Sequence, residues 1–449
     1  MTIELERTRS DGDEVSVTTA TRVHEILSAS ILADGFELVL DLRQSQGRQL
    51  VDERDGSTYL DMFGFFASNA LGMNHPALAG DEAFVAELAT AALNKPSNSD
   101  IYTVAMARFV QTFVRVLGDP RLPHLFFIDG GGLAVENALK VAFDWKSRHN
   151  ESHGRSPRLG TKVMHLTGAF HGRTGYTLSL TNTDPAKTAR FPAFDWPRID
   201  APYLGAGGDI AVAEQQALDQ ATLAFAGNPH DIACFIAEPI QGEGGDRHLR
   251  PEFLQAMQRL CHDNDALFVL DEVQTGVGMT GTTWAYQQLG LAPDVVAFGK
   301  KTQVCGVMAG GRVDEVPDNV FAVSSRLNST WGGNLTDMVR TRRILEVIER
   351  DGLIDRSRLL GTHLLDRLTA LADRHPTVTE PRGRGLMCAI DLPDTRFRDD
   401  VLTQLREREH VLLLGTGERG IRFRPPLTVT AEELDAAVSA VDRVLTDLD

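Results

Sequence analysis

Two stretches, ALFVLDEV at residues 266–273 and DVVAFGK at residues 294–300, decide the fold of this chain. Each is a short apolar run rich in β-branched and aromatic residues, which is typical of a strand buried on both faces of a parallel sheet. The first run ends at Asp271 and Glu272, and the second ends at Lys300. In open α/β sheets the functional groups lie beyond the carboxyl ends of the strands. We therefore expect an acid and an amine to lie close together at one edge of a sheet.

Further apolar runs predict more strands of the same sheet, with helices between them. The candidates are HLFFI (124–128), KVMHL (162–166) and IACFIAEPI (232–240). A helix is predicted over 133–149, because its apolar residues recur at helical spacing. This alternation indicates an α/β fold with a mostly parallel sheet that helices cover on both faces.

The two ends of the chain have a different pattern. A helix is predicted over 20–32, followed by short strands with a hairpin signal at Asp55-Gly56. The C-terminal part has an α+β pattern that indicates a smaller domain. The predicted division is a mobile arm (1–19), the N-terminal part of the small domain (20–74), a large domain (75–335) and the C-terminal part of the small domain (336–449).

Composition narrows the class of protein. The 449 residues include 45 Lys+Arg against 62 Asp+Glu, a net charge of −17. This balance argues against binding to nucleic acid or to an anionic membrane, because both need basic patches. The four cysteines form no CxxC pair or Cys/His cluster, so we expect no metal site and a reduced, cytoplasmic protein. No apolar run is long enough to span a membrane, and the N-terminus does not resemble a secretory signal.

Asp271 and Lys300 together form the pair of groups that pyridoxal phosphate requires. The cofactor needs a lysine for its Schiff base and a carboxylate that keeps its ring nitrogen protonated. Each residue has an ordinary alternative, since a lone lysine can extend to solvent and an aspartate can cap a helix. Lys301 is a second candidate for the amine.

Three loops after predicted strands carry further candidate groups. DGGG (129–132) opens a helix, which suits binding of a phosphate by backbone N–H groups. AFHGRTGY (169–176) offers an aromatic side chain for stacking on a flat ring, and its Arg173 suits a carboxylate. In EPIQGEGGDR (238–247), Glu243 is either a solvated acid or a gate for a substrate.

Taken together, these motifs resemble the class III aminotransferases of fold-type I, the ω-aminotransferases. The resemblance runs from about residue 20 to the C-terminus. It rests on YLDMFGFFASNALGMNHP, FHGRT, AEPIQGEGG, LDEVQTGVGMTG, PDVVAFGKKTQ, STWGGN and IRFRPPL. It implies a mostly parallel, seven-stranded sheet between helices, plus a smaller α+β domain built from both termini. In this family the lysine lies seven positions after the proline of P-D-[IV]-V, and this selects Lys300 over Lys301.

The resemblance also implies roles for the candidate residues. Lys300 would form the Schiff base with pyridoxal 5'-phosphate and move the proton, and Asp271 would hold the ring nitrogen. Other implied cofactor contacts are Gly131 and Gly132 to the phosphate, Phe170 to the ring face, Gln274 to the ring hydroxyl, and Thr330 to the phosphate of the partner subunit. The Thr330 contact implies a homodimer with shared active sites.

Within the family, the chain is most similar to the L-lysine 6-aminotransferases of actinobacteria. The similar stretches are NKPSNSDIYTVAMARF, GKKTQVCGVMAG and RLNSTWGGNLTDMVR. The implied reaction moves the ε-amino group of L-lysine to 2-oxoglutarate. It yields L-glutamate and 2-aminoadipate 6-semialdehyde, which cyclises. Lysine catabolism and precursor supply for β-lactam antibiotic biosynthesis both use this reaction.

Two different amino donors must use one site. Lysine enters with its α-carboxylate far from the cofactor, whereas glutamate enters with its α-carboxylate close by. We expect Arg173 to bind the distal carboxylate and Arg422 to bind the α-carboxylate of glutamate. Glu243 would mask Arg422 while lysine is bound. The choice of Arg422 over its neighbour Arg424 rests on the family pattern, which also implies substrate contacts by Gln274 and Asn328.

The chain departs from the wider family at two positions. Gly132 replaces a residue that usually carries a hydroxyl, and Met279 stands where an arginine is common. The alternatives are an ornithine, acetylornithine or 4-aminobutyrate aminotransferase, glutamate 1-semialdehyde aminomutase, or a non-catalytic binding protein that kept the fold.

Overall fold

The computed structural model describes residues 19–205 and 207–448. The predicted arm therefore lies outside the described residues except for Thr19. The strands are β1 (Gln49–Val51), β2 (Thr58–Asp61), β3 (His124–Ile128), β4 (Lys162–Leu166), β5 (Arg198–Ile199), β6 (Ile232–Ala237), β7 (Ile240–Gln241), β8 (Arg247–His248), β9 (Leu267–Asp271), β10 (Val295–Phe298), β11 (Cys305–Ala309), β12 (Thr379–Arg384), β13 (Met387–Asp391), β14 (Val411–Leu412), β15 (Leu414–Thr416) and β16 (Gly420–Phe423).

The α-helices follow the same order along the chain. They are α1 (Val23–Ser28), α2 (Pro76–Ala79), α3 (Glu82–Leu93), α4 (Val104–Leu117), α5 (Gly131–Ser152), α6 (Gly175–Leu180), α7 (Ile210–Gly227), α8 (Pro251–Asp263), α9 (Ala285–Gln288), α10 (Leu335–Arg350), α11 (Leu353–Arg374), α12 (Thr395–Glu407) and α13 (Ala431–Leu448). Short 3-10 helices cover Ala20–Arg22, Pro185–Lys187, Lys300–Thr302 and Gly311–Glu315.

A seven-stranded sheet forms the centre of the molecule. Its order is β3-β11-β10-β9-β6-β4-β5. The adjacent strands β10, β9, β6, β4 and β5 pair in parallel. Strand β11 is antiparallel to both β10 and β3. The predicted mostly parallel α/β sheet is therefore confirmed. The sequence patterns missed β11 and β5.

Strand β10 illustrates how both faces of this sheet are covered. Val295 and Ala297 point to one face and pack in the apolar cluster that includes α5. Val296 and Phe298 point to the other face, where the ring of Phe298 lies 4.9 Å from that of Phe113 in α4. Since successive side chains of a strand point to opposite faces, a strand buried on both sides must be apolar throughout.

Segments from both ends of the chain meet beside this sheet. Strand β2 pairs in parallel with β14, and β12, β13, β16 and β15 form an antiparallel sheet. Helices α11 and α12 pack on these strands, and α13 packs against both of these helices. The hairpin predicted at Asp55-Gly56 joins β1 to β2, which pair antiparallel. The division at residues 74 and 335 stays a prediction.

The first predicted helix is shorter than its apolar pattern indicates. It ends at Ser28 rather than at residue 32, and Ile31 and Leu32 are exposed. Most of the stability of a helix in a protein comes from packing its apolar face. Without that packing, the apolar spacing does not extend the helix. No helix in the described part of the chain is long and apolar enough to cross a membrane.

Candidate active site

A cavity of about 590 Å³ opens at the carboxyl ends of β4, β6, β9 and β10. This is where neighbouring parallel strands bring their following residues together. Its lining comprises Phe65, Phe66, Gly131, Gly132, Phe170, His171, Gly172, Arg173, Thr174, Glu238, Glu243, Asp271, Val273, Gln274 and Lys300. The sheet thus brings together residues that are distant in the chain, such as Gly131 and Lys300, and Phe65 and Phe66 complete the cavity from outside the sheet.

Lys300 lies in the turn that follows β10. Its Nζ donates a hydrogen bond of 2.8 Å to the carbonyl oxygen of Phe66. Burial, followed by the nearby charges of Arg422 and Arg424, lowers the pKa of Lys300 to about 8. A lowered pKa provides more neutral amine, which is the nucleophilic form of a lysine.

Lys301 has a different environment from its neighbour. Its Nζ donates to the carbonyl oxygens of Ala67, at 3.3 Å, and Gln274, at 3.0 Å. Its side chain is fully buried and does not line the cavity. Lys300 is therefore the amine of this pair that a cavity ligand can reach.

Phe66 belongs to a left-handed helical turn over Gly64–Ala67, in which all four residues have positive φ. Such conformations are costly for residues other than glycine. Asp61 stabilises the start of the turn, since its Oδ1 accepts hydrogen bonds from the backbone N–H groups of Phe63 and Gly64. The turn presents Phe65 and Phe66 to the cavity opposite the sheet.

Asp271 is held in place from two sides. Its Oδ2 lies 2.8 Å from Nδ1 of His171, and its Oδ1 accepts from the backbone N–H of Val273 at 3.1 Å. The side chain of His171 is fully buried. A carboxylate fixed in this way can meet a protonated ring nitrogen without first being ordered. No role was predicted for His171, although it lies within the FHGRT motif.

The start of α5 provides a cradle of backbone groups. Gly130 has φ +100°, which favours glycine, and the first helical N–H groups of Gly131 and Gly132 lack intrahelical partners. Gly172 comes so close that a Cβ on it would lie 2.8 Å from Cα of Gly132. The glycines therefore let two loops meet at the positively polarised end of a helix.

Glu238 links two loops beneath the cavity. Its Oε1 accepts a hydrogen bond from the backbone N–H of Phe170 at 2.9 Å, and its Oε2 accepts from Gly242 at 3.0 Å. Burial raises the pKa of Glu238 to about 7. This carboxyl thus joins the loop that bears Phe170 and Arg173 to the loop that bears Glu243.

Glu243 pairs with two cations at once. Its Oε2 accepts from Nη2 of Arg422 at 2.9 Å, and its Oε1 accepts from Nζ of Lys187 at 2.8 Å. Burial alone would raise the pKa of Glu243, but the charge of Arg422 and the Lys187 contact lower it to about 2. Glu243 is therefore ionised at neutral pH. Lys187 was missed, because nothing in the sequence around it distinguishes it from a surface lysine.

Arg424 has a different set of partners from Arg422. It forms a buried ion pair with Asp246, and its Nε donates to Oε1 of Gln274 at 3.0 Å. A further bond of 2.7 Å joins Nη1 to the carbonyl oxygen of Phe423. Arg424 therefore binds other protein groups through several of its nitrogen atoms. Arg422 pairs with a single carboxylate among the described residues, that of Glu243.

The remaining predicted site residues lie at the edge of the cavity or away from it. Arg173 lines the cavity, is exposed, and has no ion-pair partner among the described residues. Asn328 and Thr330 are exposed and do not line it. Their loop packs on residues 97–99, where Oγ of Ser99 donates to the carbonyl oxygen of Ser329 at 2.6 Å.

The donor set of the cavity fits pyridoxal phosphate. It combines an amine of lowered pKa, a fixed buried carboxylate, apolar walls at Phe170 and Val273, and a glycine-lined helix start. In the described part of the chain, no group of acidic, histidine or cysteine side chains is arranged to hold a metal ion.

Comparison with known proteins agrees with this chemistry. Residues 33–445 match the family described as Aminotransferase class-III. A protein from Mycobacterium bovis named L-lysine-epsilon aminotransferase is 67% identical over 432 residues, which is 95% of this chain and 96% of that protein. One of the same name from Streptomyces clavuligerus is 60% identical over 443 residues, 96% of each chain. The solved structure of a lysine aminotransferase from M. tuberculosis in the internal aldimine form is 66% identical, with a TM-score of 0.95, covering 96% of this chain and 100% of that one.

Proposed function

Because the chain belongs to the class III aminotransferases, which use pyridoxal 5'-phosphate, we propose that it transfers the terminal amino group of L-lysine to 2-oxoglutarate. The products are L-glutamate and 2-aminoadipate 6-semialdehyde, whose own α-amine closes a ring with the new aldehyde. The observation that carries the proposal is the ion pair between Arg422 and Glu243, because Glu243 lines the cavity of Lys300. The relatives support lysine as donor, since those named for 4-aminobutyrate or ornithine are far less similar.

The chemistry needs a base and a fixed acid. When bound, pyridoxal phosphate supplies an aldehyde that exchanges amines and a protonated ring that accepts an electron pair. Lys300 Nζ removes the proton from the substrate carbon that bears the departing amine. Asp271 would hold the proton on the ring nitrogen, and His171 keeps the carboxylate oriented. Gln274 would contact the ring hydroxyl, and the glycines that begin α5 would bind the phosphate.

The two donors are distinguished by where they carry negative charge. Lysine has no charge on the carbons next to its reacting amine, so that part of the cavity must be electrically neutral. The pairing of Glu243 with Arg422 provides this neutrality. Glutamate carries a carboxylate there, and it binds Arg422 once Glu243 has moved away. Arg173, at the exposed edge of the cavity, binds the far carboxylate of either donor.

A donor panel tests this function. Purified holoenzyme is incubated with 2-oxoglutarate and either lysine, ornithine or 4-aminobutyrate, and glutamate formation is measured. We expect lysine to give the highest kcat/KM. Ornithine and lysine differ by one methylene, which in an apolar pocket changes kcat/KM by about 10- to 200-fold. A preference for ornithine or 4-aminobutyrate would overturn the assignment.

We further propose that the enzyme is a cytoplasmic homodimer that acts in lysine catabolism. Thr330 and Asn328 are exposed outside their own cavity, which suits contact with the site of a second copy. Large apolar side chains nearby, including Tyr102 and Trp331, are exposed as well. Light scattering should give twice the mass of the chain, and T330A should release the cofactor faster. A monomer that retains full activity would exclude shared sites.

A further inference from the structure

We propose that Lys187 is a positioning residue that keeps Glu243 paired when the gate opens, and that it thereby sets the preference between the two amino donors. The inference rests on the proposed function, since it concerns the choice between lysine and glutamate at the same site. Lys187 touches Glu243 without lining the cavity itself.

The two ion-pair contacts of Glu243 are made by different atoms of its carboxylate. Each oxygen of Glu243 meets a different cation, Oε1 with Lys187 and Oε2 with Arg422. One contact can therefore break while the other is kept. The ammonium of Lys187 also lies 3.4 Å from Oγ1 of Thr183 and 5.4 Å from the centre of the Phe170 ring. A lysine carries three donors on a flexible stem, so it can follow a carboxylate that moves.

The number of carboxylates near Arg422 in each bound state explains why Lys187 is needed as a second cation. With lysine bound, the carboxylate of Glu243 lies between two cations. With glutamate bound, the substrate adds a second carboxylate beside Arg422. Lys187 then gives each carboxylate its own cation. Without Lys187, the released Glu243 would be a poorly solvated and unpaired charge close to an anionic substrate, and such a state is costly.

Removing the charge of Lys187 should impair the glutamate half-reaction, whereas removing the carboxylate of Glu243 should impair the lysine half-reaction. K187M keeps the length and apolar contacts of the side chain but removes its charge. We expect the glutamate half-reaction to lose roughly tenfold or more in kcat/KM, because Lys187 is the cation that still binds Glu243 after it has left Arg422. The lysine half-reaction should change by less than about threefold, because Arg422 still neutralises Glu243 in the closed state.

The experiment measures both half-reactions in holoenzyme by the change in cofactor absorbance with each donor alone. K187R should restore most of the glutamate rate, because it returns the charge. K162M is a matched control, because Lys162 is also partly buried and lies 3.7 Å from Asp231, at the amino end of β4, whereas the cavity opens at the carboxyl end of that strand. We expect K162M to leave both half-reactions unchanged.

A double variant tests whether Lys187 acts through Glu243. In an E243A background, K187M should have no further effect on the glutamate half-reaction, because no gate carboxylate remains to be held. An equal loss in both half-reactions, a larger loss with lysine, or a loss that persists in E243A would overturn the proposal. Failure of the wild-type enzyme to use lysine would instead refute the proposed donor, and the coupling could still be measured with glutamate.

Discussion

Replacing Glu243 by alanine should separate the two half-reactions of this enzyme. The change removes the carboxylate that neutralises Arg422, a residue that is only 3% exposed. Arg422 Nε is also buried without a hydrogen-bond partner among the described residues. In E243A the guanidinium would face the uncharged methylene chain of bound lysine, whereas glutamate would still supply a carboxylate to it.

The size of the effect follows from the bond that is lost. Oε2 of Glu243 lies 2.9 Å from Nη2 of Arg422, a charge-assisted contact in a partly buried setting. Such bonds contribute about 1.5–3 kcal/mol, which corresponds to roughly 10- to 150-fold in rate. We expect the lysine half-reaction to lose that much in kcat/KM. The glutamate half-reaction should change by less than about threefold, since the gate is open when glutamate binds.

The assay is rapid mixing of holoenzyme with either donor, followed by the change in cofactor absorbance. E243Q is the matched variant, because it keeps the shape of the side chain and loses only the charge. Its lysine rate should lie between those of wild type and E243A. An equal loss with both donors would refute the reasoning, because it would mean that Glu243 supports the site as a whole and does not act as a gate.

Three further predictions concern the core of the site. K300A should lower turnover by at least about 10²- to 10⁴-fold, measured as glutamate formed per enzyme, because the proton-transferring group is lost; retention of wild-type turnover would exclude Lys300 as the base. Capture of pyridoxal phosphate by apoenzyme should speed up as pH rises towards 8 and level off above it, because the pKa of Lys300 is lowered to about 8 and only its neutral amine reacts; a rate that is flat from pH 6 to 9 would contradict this. G172A should lower the free energy of unfolding in urea by about 1–3 kcal/mol and weaken cofactor retention, since its backbone has φ +122° and a Cβ there would lie 2.8 Å from Cα of Gly132. G154A is its control, with positive φ but open space around it, and should retain cofactor normally.

Local patterns in the sequence were sufficient for five of the seven strands of the central sheet, β3, β4, β6, β9 and β10. The predicted stretches 232–240, 266–273 and 294–300 contain β6, β9 and β10, because strands that are buried on both faces are apolar along nearly their whole length. Strand β11 was missed because it is antiparallel and its pairing is set by distant partners, β10 and β3. The first helix was predicted too long, because its apolar face has little to pack against.

The sequence by itself determined which chemistry is available. It supplied Asp271, Lys300, Glu243 and Arg173 at the ends of strands or in glycine-rich loops, and parallel strands bring such ends together. It also supplied Arg422, which lies within the antiparallel strand β16. The assigned roles of these residues stay predictions until the variants are measured.

Only the tertiary structure decided which side chains meet. His171 lies beside Asp271 across 100 residues of sequence, and Lys187 lies beside Glu243 across 56. Arg422 and Arg424 are two positions apart and chemically identical, yet one pairs with Glu243 and the other with Asp246. The physical reason is that periodicity fixes the face on which a residue lies, whereas the partner of a charged group depends on loops whose paths are set by packing elsewhere.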